Sequence, residues 1–319
     1  MEYKNKESEV KILDIEKKIA KRTFHFLAIA VIAYEIIFQF VVFGIDFIEM
    51  TLLLFLFENM QWEQASEYVY NSGIALSLAS IVGTIVVGFV LMKAPNFQKK
   101  QKITLKTMII FYILMQGLQL LGNYILIPMS IAAGLIGYGF DEAISLASDS
   151  SILLSAFVYS VIVAPVAEEI LCRGMIMPYL EKYGKAFAVL ITAMLFGLLH
   201  QNIVQLPITI MIGILFGYLA QRYSLGAAII LHVLNNLSVE ITGILGEEYN
   251  IMWKLDEIFL YFCALASIVM IWKHRNTISD FFKQKIEGIP VVQYFFTTPL
   301  MLIVMIYFLF FTIKSVTTF

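Results

Sequence analysis

The sequence predicts an all-α, polytopic transmembrane bundle of about nine spans, eight being the alternative count. Three observations predict it. Of 319 residues, 60% are hydrophobic and 14% charged, against roughly 45–50% apolar and 25% charged in soluble domains. Apolar runs recur along the whole chain at lengths near the ~20 residues that cross a ~30 Å hydrocarbon core. The basic residues also alternate: 19 of 22 fall in segments 1–23, 93–106, 182–185, 222 and 273–296, while the loops 46–71, 139–150, 201–205 and 246–252 hold none. That alternation predicts a cytoplasmic N-terminus. A net charge of −2 gives no electrostatic case for binding nucleic acid.

Taken in order, residues 1–23 read as a cytoplasmic tail, too charged for a cleaved signal peptide. Val10, Ile12, Leu13, Ile15 and Ile19 suggest an amphipathic helix lying on the membrane surface. Residues 24–149 form an N-terminal group of three spans, at about Phe24–Ile45, Ser72–Met92 and within Thr107–Tyr138. The apolar patch Leu52–Phe57 is too short to cross. Pro128 and the glycines after it are expected to kink or end the third helix. Residues 150–246 form a core of four spans, about Ser151–Leu180, Ala186–His200, Leu206–Gln221 and Leu225–Leu245. Residues 247–319 close the chain with spans near Trp253–Trp272 and Phe296–Ile313, separated by a basic loop.

The core contains Ala164-Pro165-Val166-Ala167-Glu168-Glu169-Ile170-Leu171-Cys172-Arg173-Gly174. Ionisable groups at membrane depth cost free energy and are by default functional-site candidates. Glu169 and Arg173, four residues apart, share a helical face. Glu168 is turned about 100° from Glu169 and cannot readily share that arginine. The pattern is one neutralised structural carboxylate, Glu169, and one spare, Glu168. Cys172 reads as a small apolar filler. His25 and His274 flank helices, and the other glutamates are placed in loops.

Downstream, the fifth span ends Phe196-Gly-Leu-Leu-His200 and the seventh carries His232-Val-Leu-Asn-Asn236. Counting helical rise from the neighbouring basic loops puts Glu168 and His200 about 20 Å in, and His232 and Asn236 about 13–19 Å in. One glutamate, two histidines and an asparagine on three helices thus share one slab. Each has a plain alternative as an interhelical hydrogen-bonding group, and Asn235 can serve either packing or the site. Together they suit water activation. Glu168 would act as general base, His232 and Asn236 would stabilise an oxyanion, and His200 would orient the water or protonate the leaving amine. Glu168, His200 and His232 can instead hold a zinc ion with an open position, although no His-Glu-x-x-His run is present.

These residues carry a resemblance. Glu168-Glu169…Arg173, Phe196…His200 and His232…Asn236, in order over about residues 150–240, resemble the CAAX-protease and bacteriocin-processing (CPBP, or Abi) family of intramembrane proteases. The resemblance implies a CAAX-protease-like core and a glutamate-dependent endopeptidase acting on a membrane-associated peptide or protein in the bilayer. It implies Glu168 as base, Glu169 paired to Arg173, and His200, His232 and Asn236 completing the site, with Phe196 in support. The family has been classed with metalloproteases, while a metal-free glutamate mechanism is the view more often taken. Short loops and a Lys/Ile/Phe-rich composition suggest a bacterial plasma-membrane protein, for which the family implies bacteriocin immunity or peptide maturation rather than CAAX trimming. The competing classes are a proton- or ion-coupled transporter and a non-catalytic immunity or scaffold protein. Neither inverted repeats nor a matched pair of broken helices favours transport. Gly197, Gly213, Gly217 and Gly226 are candidates for close helix packing or a lateral substrate opening.

Overall fold

In a computed structural model the structure describes residues 2–91, 101–148, 153–283 and 290–318. Twelve helices are present among them: α1 (Glu2–Leu56), α2 (Trp62–Ser72), α3 (Ile74–Leu91), α4 (Leu105–Gly134), α5 (Asp141–Ser148) and α6 (Leu154–Tyr183). They continue with α7 (Lys185–Leu199), α8 (Gln205–Arg222), α9 (Leu225–Glu248), α10 (Asn250–Phe282), α11 (Val291–Phe296) and α12 (Pro299–Lys314). One small antiparallel ladder pairs β1 (Tyr138–Gly139) with β2 (Thr317–Thr318), Tyr138 facing Thr318. The protein is an all-α integral membrane bundle. The apolar part of α1, together with α3, α4, α6, α9 and α10, makes six helices long and apolar enough to cross a membrane, and α7 and α12 are shorter apolar helices. The 18-residue α8 is not among the six; it, α7 and α12 lie where three of the about nine expected spans were placed.

Local chemistry explains the boundaries. Thr104 caps α4 by accepting from Thr107 N–H, and Ser224 caps α9 by accepting from Ala227 N–H. Gly73 turns α2 into α3 at φ 67°, against Ala156, whose Cα lies 2.7 Å from where a Cβ would sit. The tail and first span share one helix, α1, about 80 Å long at 1.5 Å per residue. Leu52–Leu56 simply extends it. Pro128 does not end its helix: α4 runs through it to Gly134.

Helix α6 is not a uniform α-helix. It is π-helical over Tyr159–Val163 and again over Ile170–Ile176. Each wide segment ends two residues before a proline, Pro165 and Pro178. A proline ring collides with the carbonyl four residues back and supplies no N–H. Widening to i→i−5 bonds relieves the clash, as in Ala164 N–H to Tyr159 O and Met177 N–H to Cys172 O.

Phe40, Phe43 and Phe47 of α1 face outward, as lipid-facing side chains do. The buried core runs between the helices. At one end Phe24, Tyr183, Phe187 and Phe295 meet tilted or edge-to-face with ring centroids 5.3–6.5 Å apart, tying α1 to α6, α7 and α11. A Cβ on Gly197 would meet Ile210 at 2.5 Å and one on Gly217 would meet Val189 at 3.1 Å. These two glycines, with Gly213, seat α7 against α8. They are packing contacts, not a lateral opening, and Gly226 has only Ser224 Oγ at 4.0 Å.

Candidate active site

Helix α6 carries both glutamates into the interior between its two wide segments. Glu169 is fully buried and Arg173 2% exposed. Arg173 Nη1 donates to Glu169 Oε1 at 2.8 Å, and its Nη2 donates to the Gly213 carbonyl of α8, also at 2.8 Å. A Cβ at position 213 would lie 3.1 Å from that Nη2, so glycine lets the backbone approach the guanidinium. The guanidinium also lies over the rings of Phe196 (4.6 Å) and Phe216 (5.6 Å).

Glu169 does more than neutralise the arginine. The same Oε1 sits 3.2 Å from His232 Nδ1. Because that carboxylate can only accept, Nδ1 carries the proton, and Nε2 is left facing Glu168 Oε2 at 3.8 Å. His232 is thus held between two carboxylates with its tautomer chosen by the inner one. Its ring stacks on Phe216 at 4.6 Å and meets the Phe196 edge at 5.6 Å. The Glu168 side chain remains 26% exposed, while the Glu169 side chain is closed off entirely. The carboxylate without an ion-pair arginine is the one that can meet water.

Asn236 takes a place its sequence position did not suggest. Its Nδ2 donates to the Ser160 carbonyl at 2.8 Å. Ser160 needs that donor: Ala164 N–H is committed to Tyr159 O, and the next residue, Pro165, has none. The asparagine fills the gap left by the proline. Its Oδ1 accepts from Asn235, whose own Oδ1 accepts from Gln119 of α4. Asn235 therefore belongs to a chain of amides that sets Asn236, and one Asn236 hydrogen is already spent on α6.

His200 caps the end of α7. Its Nδ1 lies 2.8 Å from the Phe196 carbonyl, an acceptor, which leaves Nε2 as a free acceptor in the neutral ring. Its ring meets Phe196 edge-on at 4.8 Å. Phe196 is the shared contact: His200, His232 and Arg173 all touch it. Cys172 is fully buried.

A zinc ion on Glu168, His200 and His232 does not fit these positions. Among the described residues no three His, Cys, Asp or Glu side chains form a group able to hold a metal.

Several neighbours were invisible in the sequence. Tyr34 of α1 and Tyr159 of α6 lie near Ser80 of α3 and near Glu168. Gly83 gives the Tyr34 ring room, its notional Cβ falling 3.0 Å from that ring. Phe216 and the Gly213 carbonyl were likewise missed; the only signal was a glycine one helical turn before an aromatic. The placing of the remaining glutamates in loops needs correction as well. Glu35 and Glu240 are both 8% exposed, inside α1 and α9. For Glu35, Tyr307 of α12 and Gln201 stand in for water.

Residues 150–238 match the family model described as type II CAAX prenyl endopeptidase, Rce1-like. The match spans the part of the chain that holds Glu168, Glu169, Arg173, Phe196, His200, His232 and Asn236, and it agrees with the family resemblance of the motifs. No curated protein and no solved structure matches the chain.

Proposed function

We propose that the segment matching the endopeptidase model is the catalytic core of an intramembrane endopeptidase that hydrolyses a membrane-associated peptide or protein. One observation carries the reading: Glu168, partly open and without an arginine partner, faces a histidine whose opposite nitrogen is tied to a fully buried second carboxylate.

In this mechanism Glu168 takes a proton from a water molecule, and the oxygen attacks the scissile carbonyl. His232 Nε2 lies 3.8 Å from the Glu168 oxygen and is unprotonated in the neutral ring, so it can receive that proton and pass it to the leaving amine. Glu169 supports the imidazolium that forms, as the buried carboxylate does in other acid–base triads. Arg173 holds Glu169 in place through their 2.8 Å ion pair. His200 Nε2 offers an acceptor that orients the water, and the second Nδ2 hydrogen of Asn236 is the donor left for the oxyanion. The proposed substrate is a membrane-associated segment rather than a prenylated CAAX protein. A task in peptide maturation or bacteriocin self-protection follows from the family resemblance.

The test is a comparison of membrane and secreted peptides from the native host carrying the wild type, Glu168→Gln or Glu169→Gln at matched expression. A peptide that loses its truncated form in Glu168→Gln identifies both the activity and the substrate. Unchanged processing in that variant refutes the proposal.

A further inference from the structure

We infer that Glu35 of α1 is a positioning residue for His200: its carboxylate holds the strained turn after α7 and so orients the imidazole. The inference deepens the endopeptidase reading, on which the role of His200 rests. Glu35 lies in the middle of an apolar helix and is 8% exposed. Its Oε1 accepts from Gln39 Nε2 at 3.1 Å, Tyr307 Oη at 3.1 Å and Gln201 Nε2 at 3.3 Å. A membrane-buried carboxylate persists when neighbouring donors replace its water. Here the donors come from three parts of the chain: α1 itself, α12 and the residue directly after His200.

Gln201 is the only non-glycine residue with positive φ among the described residues, at 48°. Such a conformation is unfavourable for a residue with a Cβ and persists where the surroundings over-determine it. The surroundings do so. Gln201 is tied to Glu35. Asn202 donates to Ala143 O and accepts from the N–H groups of Val204 and Gln205. Ile203 N–H donates to Ser315 Oγ beyond α12. Three successive residues are thus fastened to different elements. Among the described residues the His200 ring has a hydrogen bond only to its own helix, to Phe196 O. Its direction is inherited from the turn, and the Gln201–Glu35 bond is the nearest fastening.

The chain has four histidines, so the test is resolvable by nitrogen NMR of histidine-labelled full-length protein in lipid bilayers, each signal assigned by a single His→Gln variant. In the wild type His200 shows one neutral tautomer, protonated at Nδ1. Glu35→Gln retains an acceptor oxygen and keeps that signal. Glu35→Ala loses it, with a second, Nε2-protonated signal appearing for His200 while His232 is unmoved. Gln201→Gly keeps the left-handed backbone without strain and removes only the side-chain tie. It is expected to reproduce the Glu35→Ala spectrum in a folded protein, and it decides the question if Glu35→Ala fails to fold. A single unshifted His200 signal in folded Gln201→Gly or Glu35→Ala overturns the inference. The readout needs no substrate, so it stands apart from the processing comparison that tests the endopeptidase reading.

Discussion

Replacing Glu169 with Gln is the perturbation that most directly probes how the site is held. The substitution keeps shape and an acceptor oxygen but removes the charge that faces both Arg173 (2.8 Å) and His232 (3.2 Å). The guanidinium, 2% exposed, is left with uncharged partners only: the amide oxygen, the Gly213 carbonyl and two aromatic faces. Removing one partner of a buried pair costs about 3–5 kcal/mol. Unfolding entropy of about 2.1 cal/mol/K per residue makes 1 kcal/mol worth roughly 1.5 °C for a chain of this length, so Tm should fall by about 4–8 °C. Cys172 and Cys263 are both buried, so a thiol-reactive fluorophore reports unfolding of the purified protein during a thermal ramp. Glu168→Gln is the control. That side chain is 26% exposed and its one ion-pair contact, to His232, is 3.8 Å long, so its loss should lower Tm by less than the loss of Glu169 does. Equal melting of Glu169→Gln and wild type would refute the argument that this carboxylate anchors the site.

Further expectations concern the other contacts. Glu168→Gln should reduce processing by about 10²–10⁴-fold, the usual contribution of a general base, measured as the ratio of truncated to intact peptide. Asn236→Ala should destabilise by about 1–3 kcal/mol by leaving the Ser160 carbonyl unpaired. Pro165→Ala supplies the missing N–H, so the double variant should recover part of that loss, read as a coupling of about 1 kcal/mol in a thermal double-mutant cycle. Gly213→Ala places a Cβ 3.1 Å from Arg173, Ala193 and Phe196 and should cost about 1–3 kcal/mol through overpacking. Gly226→Ala, with only Ser224 Oγ at 4.0 Å, should melt with the wild type in the same assay.

The fold class and the Glu169–Arg173 contact were legible in the sequence for one reason: both depend on information local to a run of residues. Span length and charge alternation follow from the thickness and polarity of the bilayer, and an i,i+4 contact follows from helical pitch alone. Only the tertiary structure decided which face of each helix turned inward. In water the apolar stripe of a helix marks its buried side; in lipid the surroundings are as apolar as the core, and that marker disappears. For that reason the burial of Glu35 in α1, the Asn236–Ser160 bond and the place of Tyr34 are not readable from the chain. The wide segments of α6 lie between these cases. Their cause, Pro165 and Pro178, is written in the chain, but a proline can kink, end or widen a helix. Which outcome occurs depends on whether a donor from elsewhere, here Asn236 of α9, is placed to satisfy the carbonyl it frees.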